Sequence, residues 1–160
     1  MYNNQNSIKT PATFTKTITL VHLALLMGQV LFGLAAFFIT NKTVINLTPG
    51  SDVFFYIVPI MIVFGIFTGS FLFKQQVAKL SDKTLLTEKL TGYQTALIIR
   101  FALSNGTSML GIVVYMQIGN LFYLIVTGVN ILYFIWIRPT KDKIKDDLNL
   151  TYEDEIAMEG

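Results

Sequence analysis

ALIIRFALSNGTSMLG, residues Ala96–Gly111, is the stretch on which the fold turns. It is apolar enough for lipid, yet it carries Arg100 and sets Ser104, Asn105, Thr107 and Ser108 around Gly106. It belongs to a longer apolar run, Gln94 to Met116, and three more runs fall at residues 17–40, 53–73 and 121–137. Each run is close to the roughly 20 residues a helix needs to cross about 30 Å of hydrocarbon. The fourth is the shortest. Backbone polar groups in lipid must be bonded within the segment, so helices are predicted. Outer-membrane strands would alternate in apolarity over roughly 10 residues, and these runs do not. The first run has too long an apolar core for a signal peptide, and no A-x-A pattern follows it, so a retained span is expected. The expected fold class is an all-α membrane protein with four transmembrane helices.

Composition agrees. The chain has 160 residues, 52% of them hydrophobic and 14% charged, with a mean hydropathy of +0.56. A soluble domain carries about 25% charged residues. The absence of cysteine excludes disulfides, thiolate metal sites and thiol nucleophiles. The net charge of +2, with no basic stripe among aromatics, gives no reason to expect a nucleic-acid partner.

Lysine and arginine set the expected threading. Lys9 and Lys16 precede the first run, and Lys74, Lys79, Lys83 and Lys89 lie between the second and third. Arg138, Lys141, Lys143 and Lys145 follow the fourth, while Lys42 alone occupies the first connection. Both termini are therefore expected in the cytoplasm of a bacterial inner membrane. Tyr133 and Trp136 suit an interfacial aromatic belt.

Residues 1–16 are polar and Asn-rich and are expected to be a disordered tail. Residues 17–138 form the bundle. Residues 139–160 read as a charged cytoplasmic tail, solvated or docking a partner, where Ile144 and Leu148 are spaced for a short surface helix. Leu86, Leu90, Tyr93 and Leu97 form a helical seam, so the third helix is expected to begin before the membrane. Pro59 can kink the second span.

At an offset of 78, HLALLMGQVLFG (His22–Gly33) lies over RFALSNGTSMLG (Arg100–Gly111). Ala24, Leu25, Gly28 and Gly33 meet Ala102, Leu103, Gly106 and Gly111. The chain can thus be read as two hairpins of the same orientation, a parallel internal repeat. Small residues let helices approach closely in lipid. Gly28, Gly106 and the GxxxG pair Gly65 and Gly69 are therefore expected at contacts within the bundle, with self-association between chains as the other outlet.

The polar residues are few. Arg100, near the inner end of its span, is expected to snorkel to the interface, or else to contact an anion or a lipid headgroup. Asn105 lies deeper and needs a partner, for which Gln29, Asn130 and Thr127 are candidates. These residues are either interhelical glue or the lining of a polar path. His22 shares a helix face with Gln29 and is expected to be packed, since bis-histidine haem ligation would need a second chain. No metal or other cofactor is expected. The spans contain no Asp or Glu, and no nucleophile–base pair, P-loop or HExxH motif occurs, so an enzyme is the weakest class.

Two same-way hairpins with glycine-bearing first helices resemble the proteolipid c subunits of rotary ATPases, the duplicated form in particular. That resemblance implies a proton-carrying ring. The chain departs from it where the carboxylate belongs, since residues 57–74 and 121–138 hold none. Composition and the tail RPTKDKIKDDLNL also resemble small four-span proteins of Bacteroidetes-type bacteria, which implies no activity. Two functions remain as expectations. One is a structural or accessory subunit that contacts the bilayer and another membrane protein or its own copies. The other is a small oligomeric channel or transporter.

Overall fold

The computed structural model of the chain describes residues 11–159 apart from 42, 49 and 51. The disorder expected for residues 1–10 lies outside them. Six helices follow in order: α1 (Pro11–Ile39), α2 (Phe54–Ala78), α3 (Leu86–Ile118), α4 (Leu121–Trp136), α5 (Lys141–Leu148) and α6 (Tyr152–Glu159). The first three are long and apolar enough to cross a membrane. With 16 residues, α4 reaches only about 24 Å at 1.5 Å per residue. It counts as a fourth span only together with α5, from which it is bent by 74°. Pro139 lies at that bend and cannot continue the helix.

The middle of the bundle belongs to α3, which packs against α1, α2 and α4, most extensively against α2. Its buried seam begins before the apolar run, at Leu90 and Tyr93, and continues into it at Leu97. By contrast, α1 buries one stripe, Ile18, His22, Gln29 and Ala36, with Leu25 and Phe32 partly covered between them. Spacings that alternate between four and three residues make the narrow seam of near-parallel helix packing. That stripe lies along α3, with His22 against Phe101 and Gly33 beside Ile112.

On α2, Gly65 and Gly69 are contact positions. A Cβ built on Gly65 would stand 2.7 Å from Thr107 Cγ2 and 3.3 Å from the Leu103 carbonyl, and one on Gly69 would stand 3.5 Å from the Arg100 carbonyl. Gly28 and Gly106 are a correction. Both are exposed, and nothing lies within 4 Å of a Cβ built on either. Ala24 and Gly28 sit off the stripe that α1 buries, and Ala102 and Gly106 lie on the one stripe of α3 left uncovered. The expected equivalence of the two hairpins also fails in their packing: α3 and α4 form a tight pair, whereas α1 and α2 share almost no contact among the described residues.

Two apolar clusters lie at opposite ends. One gathers Phe14, Ile18, Phe73, Tyr93, Phe134 and Ile144, and the other Ala36, Val58, Ile112, Tyr115 and Tyr123. The first holds a second correction. The segment 11–16 is helical with Phe14 buried, and the short helix expected at Ile144 and Leu148 forms as α5 but docks on the bundle rather than lying in solvent. Ile144 and Leu148 of α5 are 0% and 4% exposed in this cluster. Two apolar residues one turn apart suffice to dock a helix whose other faces are charged. Thr140 caps α5 by accepting from the Lys143 amide at 3.3 Å.

The α1–α2 connection is clasped at the other end. The Val44 amide donates to the Gly119 carbonyl and the Leu121 amide to the Val44 carbonyl, both at 2.9 Å. Asn120 caps α4 through the Phe122 amide and exchanges bonds with the Asn46 backbone. Gly119, at φ 75°, ends α3 in the left-handed conformation that glycine adopts without strain. Tyr123 donates its hydroxyl proton to Asp52, whose other oxygen accepts from the Phe54 amide at 3.0 Å.

Candidate functional site

Polar side chains collect in two places. The first is the level between the two apolar clusters, where Asn130 of α4 faces α3. Its amide nitrogen lies 2.9 Å from the Ser104 carbonyl, 2.8 Å from Ser108 Oγ and 3.2 Å from Thr107 Oγ1, and its Oδ1 accepts from Ser104 Oγ at 3.3 Å. Thr107 also bonds back to the Ser104 carbonyl at 3.0 Å. Asn130 and Ser108 are completely buried. One residue of α4 thus binds three side chains of α3.

The expected hub, Asn105, is only partly buried, and its Oδ1 has no partner among the described residues. It lies one residue away from the Ser104–Ser108 face, rotated from α4. Gln29 is fully buried, and among the described residues neither its amide atoms nor the Thr127 hydroxyl has a hydrogen-bond partner. Thr127 instead stands over Gly111, where a Cβ would overlap its hydroxyl. His22 is packed: its Nε2 lies 2.8 Å from the Phe134 carbonyl, and its ring stacks on Phe134 at 4.5 Å. No carboxylate or nucleophile shares that contact among the described residues. Nor does any group of three His, Asp or Glu there suit a metal ion.

The second place is a cavity of about 260 Å³ at the lysine-rich end, bounded by α2, α3, α4 and α5. Arg100 reaches into it. Its Nη2 donates to Tyr133 Oη at 3.0 Å, and that oxygen shares a 2.8 Å hydrogen bond with Ser70 Oγ. The guanidinium lies over Phe73 at 5.0 Å and Tyr133 at 5.9 Å, while its Nε is buried with no partner. Arg100 therefore does point toward this end of the bundle, but it is held in place rather than loosely snorkelled.

Lys74 and Lys143 line the same cavity. Lys143 donates to the Trp136 carbonyl at 2.8 Å and the Arg138 carbonyl at 3.2 Å, where a cation complements the carboxyl end of α4. Lys74 makes no hydrogen bond or ion pair among the described residues. One carboxylate is present, Asp147 of α5, and it accepts from Tyr93 Oη at 2.7 Å. The cavity is cationic and aromatic-walled, and the docked α5 forms one side of it.

Sequence reasoning singled out Arg100 but not its surroundings. Lys74 and Lys143 counted only as threading charges, and Asp147 only as part of a tail. A signal was present, since Ile144, Asp147 and Leu148 share one face of an eight-residue helix. Comparison with known proteins adds no identity: no family model, no curated protein and no solved structure matches the chain.

Proposed function

We propose that the chain is a structural or accessory subunit of a membrane complex. It crosses a bacterial inner membrane four times, as two hairpins that enter the same way, with both ends in the cytoplasm. Asn130, the one midplane amide that is fully bonded, joins α4 to α3 rather than lining a path. One observation carries this reading: Asn130 spends its amide on Ser104, Thr107 and Ser108 of the same chain. A residue that lines a conducting path keeps hydrogen-bonding capacity for the water or ion it passes. The channel alternative needs Gln29, Asn105, Asn130 and Thr127 to face an axis between chains, and three of these four are buried within one chain.

One surface open to a partner is the outward face of α2, where Ile60, Val63, Phe64 and Phe67 are exposed. Photo-reactive residues at Phe64 and Phe67, activated in the native membrane, should give a discrete protein adduct. Purified protein in liposomes should pass no more protons or potassium than empty vesicles. Selective flux that Asn130→Leu abolishes, with only lipid adducts, would reverse the choice in favour of the channel.

A further inference from the structure

We propose that the cavity around Arg100 is a binding site for a phosphate monoester group, carried either by a lipid headgroup or by a free phosphate compound. This stands apart from the accessory role, because it rests on different residues. The first ground is charge. Arg100, Lys74 and Lys143 face the cavity, with Asp147 as the one carboxylate, an excess of two positive charges. Asp147 is already engaged by Tyr93. No carboxylate lies within ion-pair distance of Arg100 among the described residues. Asp147 offsets one of the three cations, and the surplus positive charge beside an apolar bundle favours an anionic ligand. A carboxylate ligand brings one negative charge, whereas a phosphate monoester brings about 1.5 to 2 at neutral pH.

The second ground is geometry. Tyr133, fixed by Ser70, takes one of the five guanidinium donors and so orients the group. Nε is buried away from the cavity, and among the described residues the guanidinium's only hydrogen bond is the one from Nη2, which leaves Nη hydrogens spare. A fixed planar donor set with spare N–H groups is the arrangement that recognises phosphate oxygens in pairs. The volume of about 260 Å³ falls just below the roughly 300–1,000 Å³ of sites for drug-sized ligands. It is therefore a headgroup-sized cavity rather than one for a large substrate. Trp136, 72% exposed at its rim, has the amphipathic ring found at headgroup depth.

The test uses the full chain in a neutral detergent and reads the thermal midpoint. Inorganic phosphate, short-chain phosphatidic acid and short-chain phosphatidylglycerol are titrated separately. A saturable rise is expected with a monoester, and a weaker one with the diester phosphatidylglycerol. Phosphatidic acid far tighter than inorganic phosphate assigns the lipid source, and equal affinity assigns the free one. Loss of one charge-assisted contact should weaken the monoester by about ten- to a hundredfold in Arg100→Gln and in Lys74→Gln. Arg100→Lys should recover part of the loss. Lys83→Gln should change nothing, because Lys83 pairs with Glu88 outside the cavity at 3.2 Å. Should Arg100→Gln fail to fold, Lys74→Gln decides alone, since Lys74 bonds nothing among the described residues. No rise with either monoester, an unchanged affinity in these variants, or a diester as tight as the monoester overturns the proposal.

Discussion

α1 and α3 keep the same rotation but not the same company. At the offset of 78, Ile18 and Ala96, Gln29 and Thr107, and Ala36 and Val114 are buried in both helices, while Ala24, Ala102, Gly28 and Gly106 are exposed in both. The difference lies on the flanks. Phe101, Ser104, Ser108, Ile112 and Tyr115 of α3 are buried, Ser104 and Ser108 against Asn130 of α4. Their counterparts in α1 are Leu23, Leu26, Val30, Leu34 and Phe37, all exposed except Leu26, which is half-buried. Serine stands where a second helix supplies Asn130, and leucine or valine where none does. Polar groups inside an apolar bundle persist only where neighbouring helices answer them.

The largest effect should come from crowding the side that α3 shares with α2. Gly65→Val would place side-chain atoms against Thr107 and the Leu103 carbonyl, which is backbone and cannot step aside. Overpacking of this kind costs about 1–3 kcal/mol, and the upper end is expected here. Thermal unfolding in detergent measures it. A loss as small as that of a surface change would mean that α2 and α3 do not meet at Gly65.

Asn130→Leu comes next. It removes the amide from three α3 partners at once, but Ser104, Thr107 and Ser108 can fall back on carbonyls of their own helix. Destabilisation of about 1–2 kcal/mol is expected, near the top of the range for interhelical hydrogen bonds in membrane proteins. The companion change Asn105→Leu should cost less, because the Asn105 oxygen has no partner to lose.

The reversed ranking of these two asparagines shows how far the sequence could be read. Apolar run lengths made the helices legible, and the Leu86–Leu97 seam placed the start of α3. The polar level was legible as a composition of residues. Which amide would serve it was not, because that depends on the rotation of α4 about its axis, and one residue of rotation moves a side chain by about 100° at 3.6 residues per turn. The docking of α5 was hidden for another reason. Its charges outnumber its two apolar residues, and only the position of those two on one face reveals it. The Arg100 cavity needed four helices at once, so no local pattern could announce it.

Gln29→Leu should move stability the other way. Gln29 is as buried as Asn130, yet both of its amide atoms lack partners among the described residues. A buried polar group without a bond carries a desolvation cost of about 1–3 kcal/mol, and an apolar group of similar shape avoids it. A gain of about 1 kcal/mol is expected, read from the same melting curves. A loss equal to that of Asn130→Leu would show that Gln29 is answered after all, by water or by a second chain, and would strengthen the polar-path alternative.

The smallest effect tests the feature that first made α1 and α3 look alike. Gly28 and Gly106 match at the offset of 78 and would be contact points if the repeat were a packing device. Both instead have open space where a side chain would stand. Gly28→Leu and Gly106→Leu should therefore each lie within about 0.5 kcal/mol of the parent chain, and leucine's better helix propensity offers a small gain. The pair also separates two kinds of contact. If the isolated chain melts unchanged but a cross-linked dimer seen in membranes disappears, these glycines face a second copy. If the isolated chain itself loosens strongly, the helices are rotated from the positions described, and the serines of α3 would no longer point at Asn130.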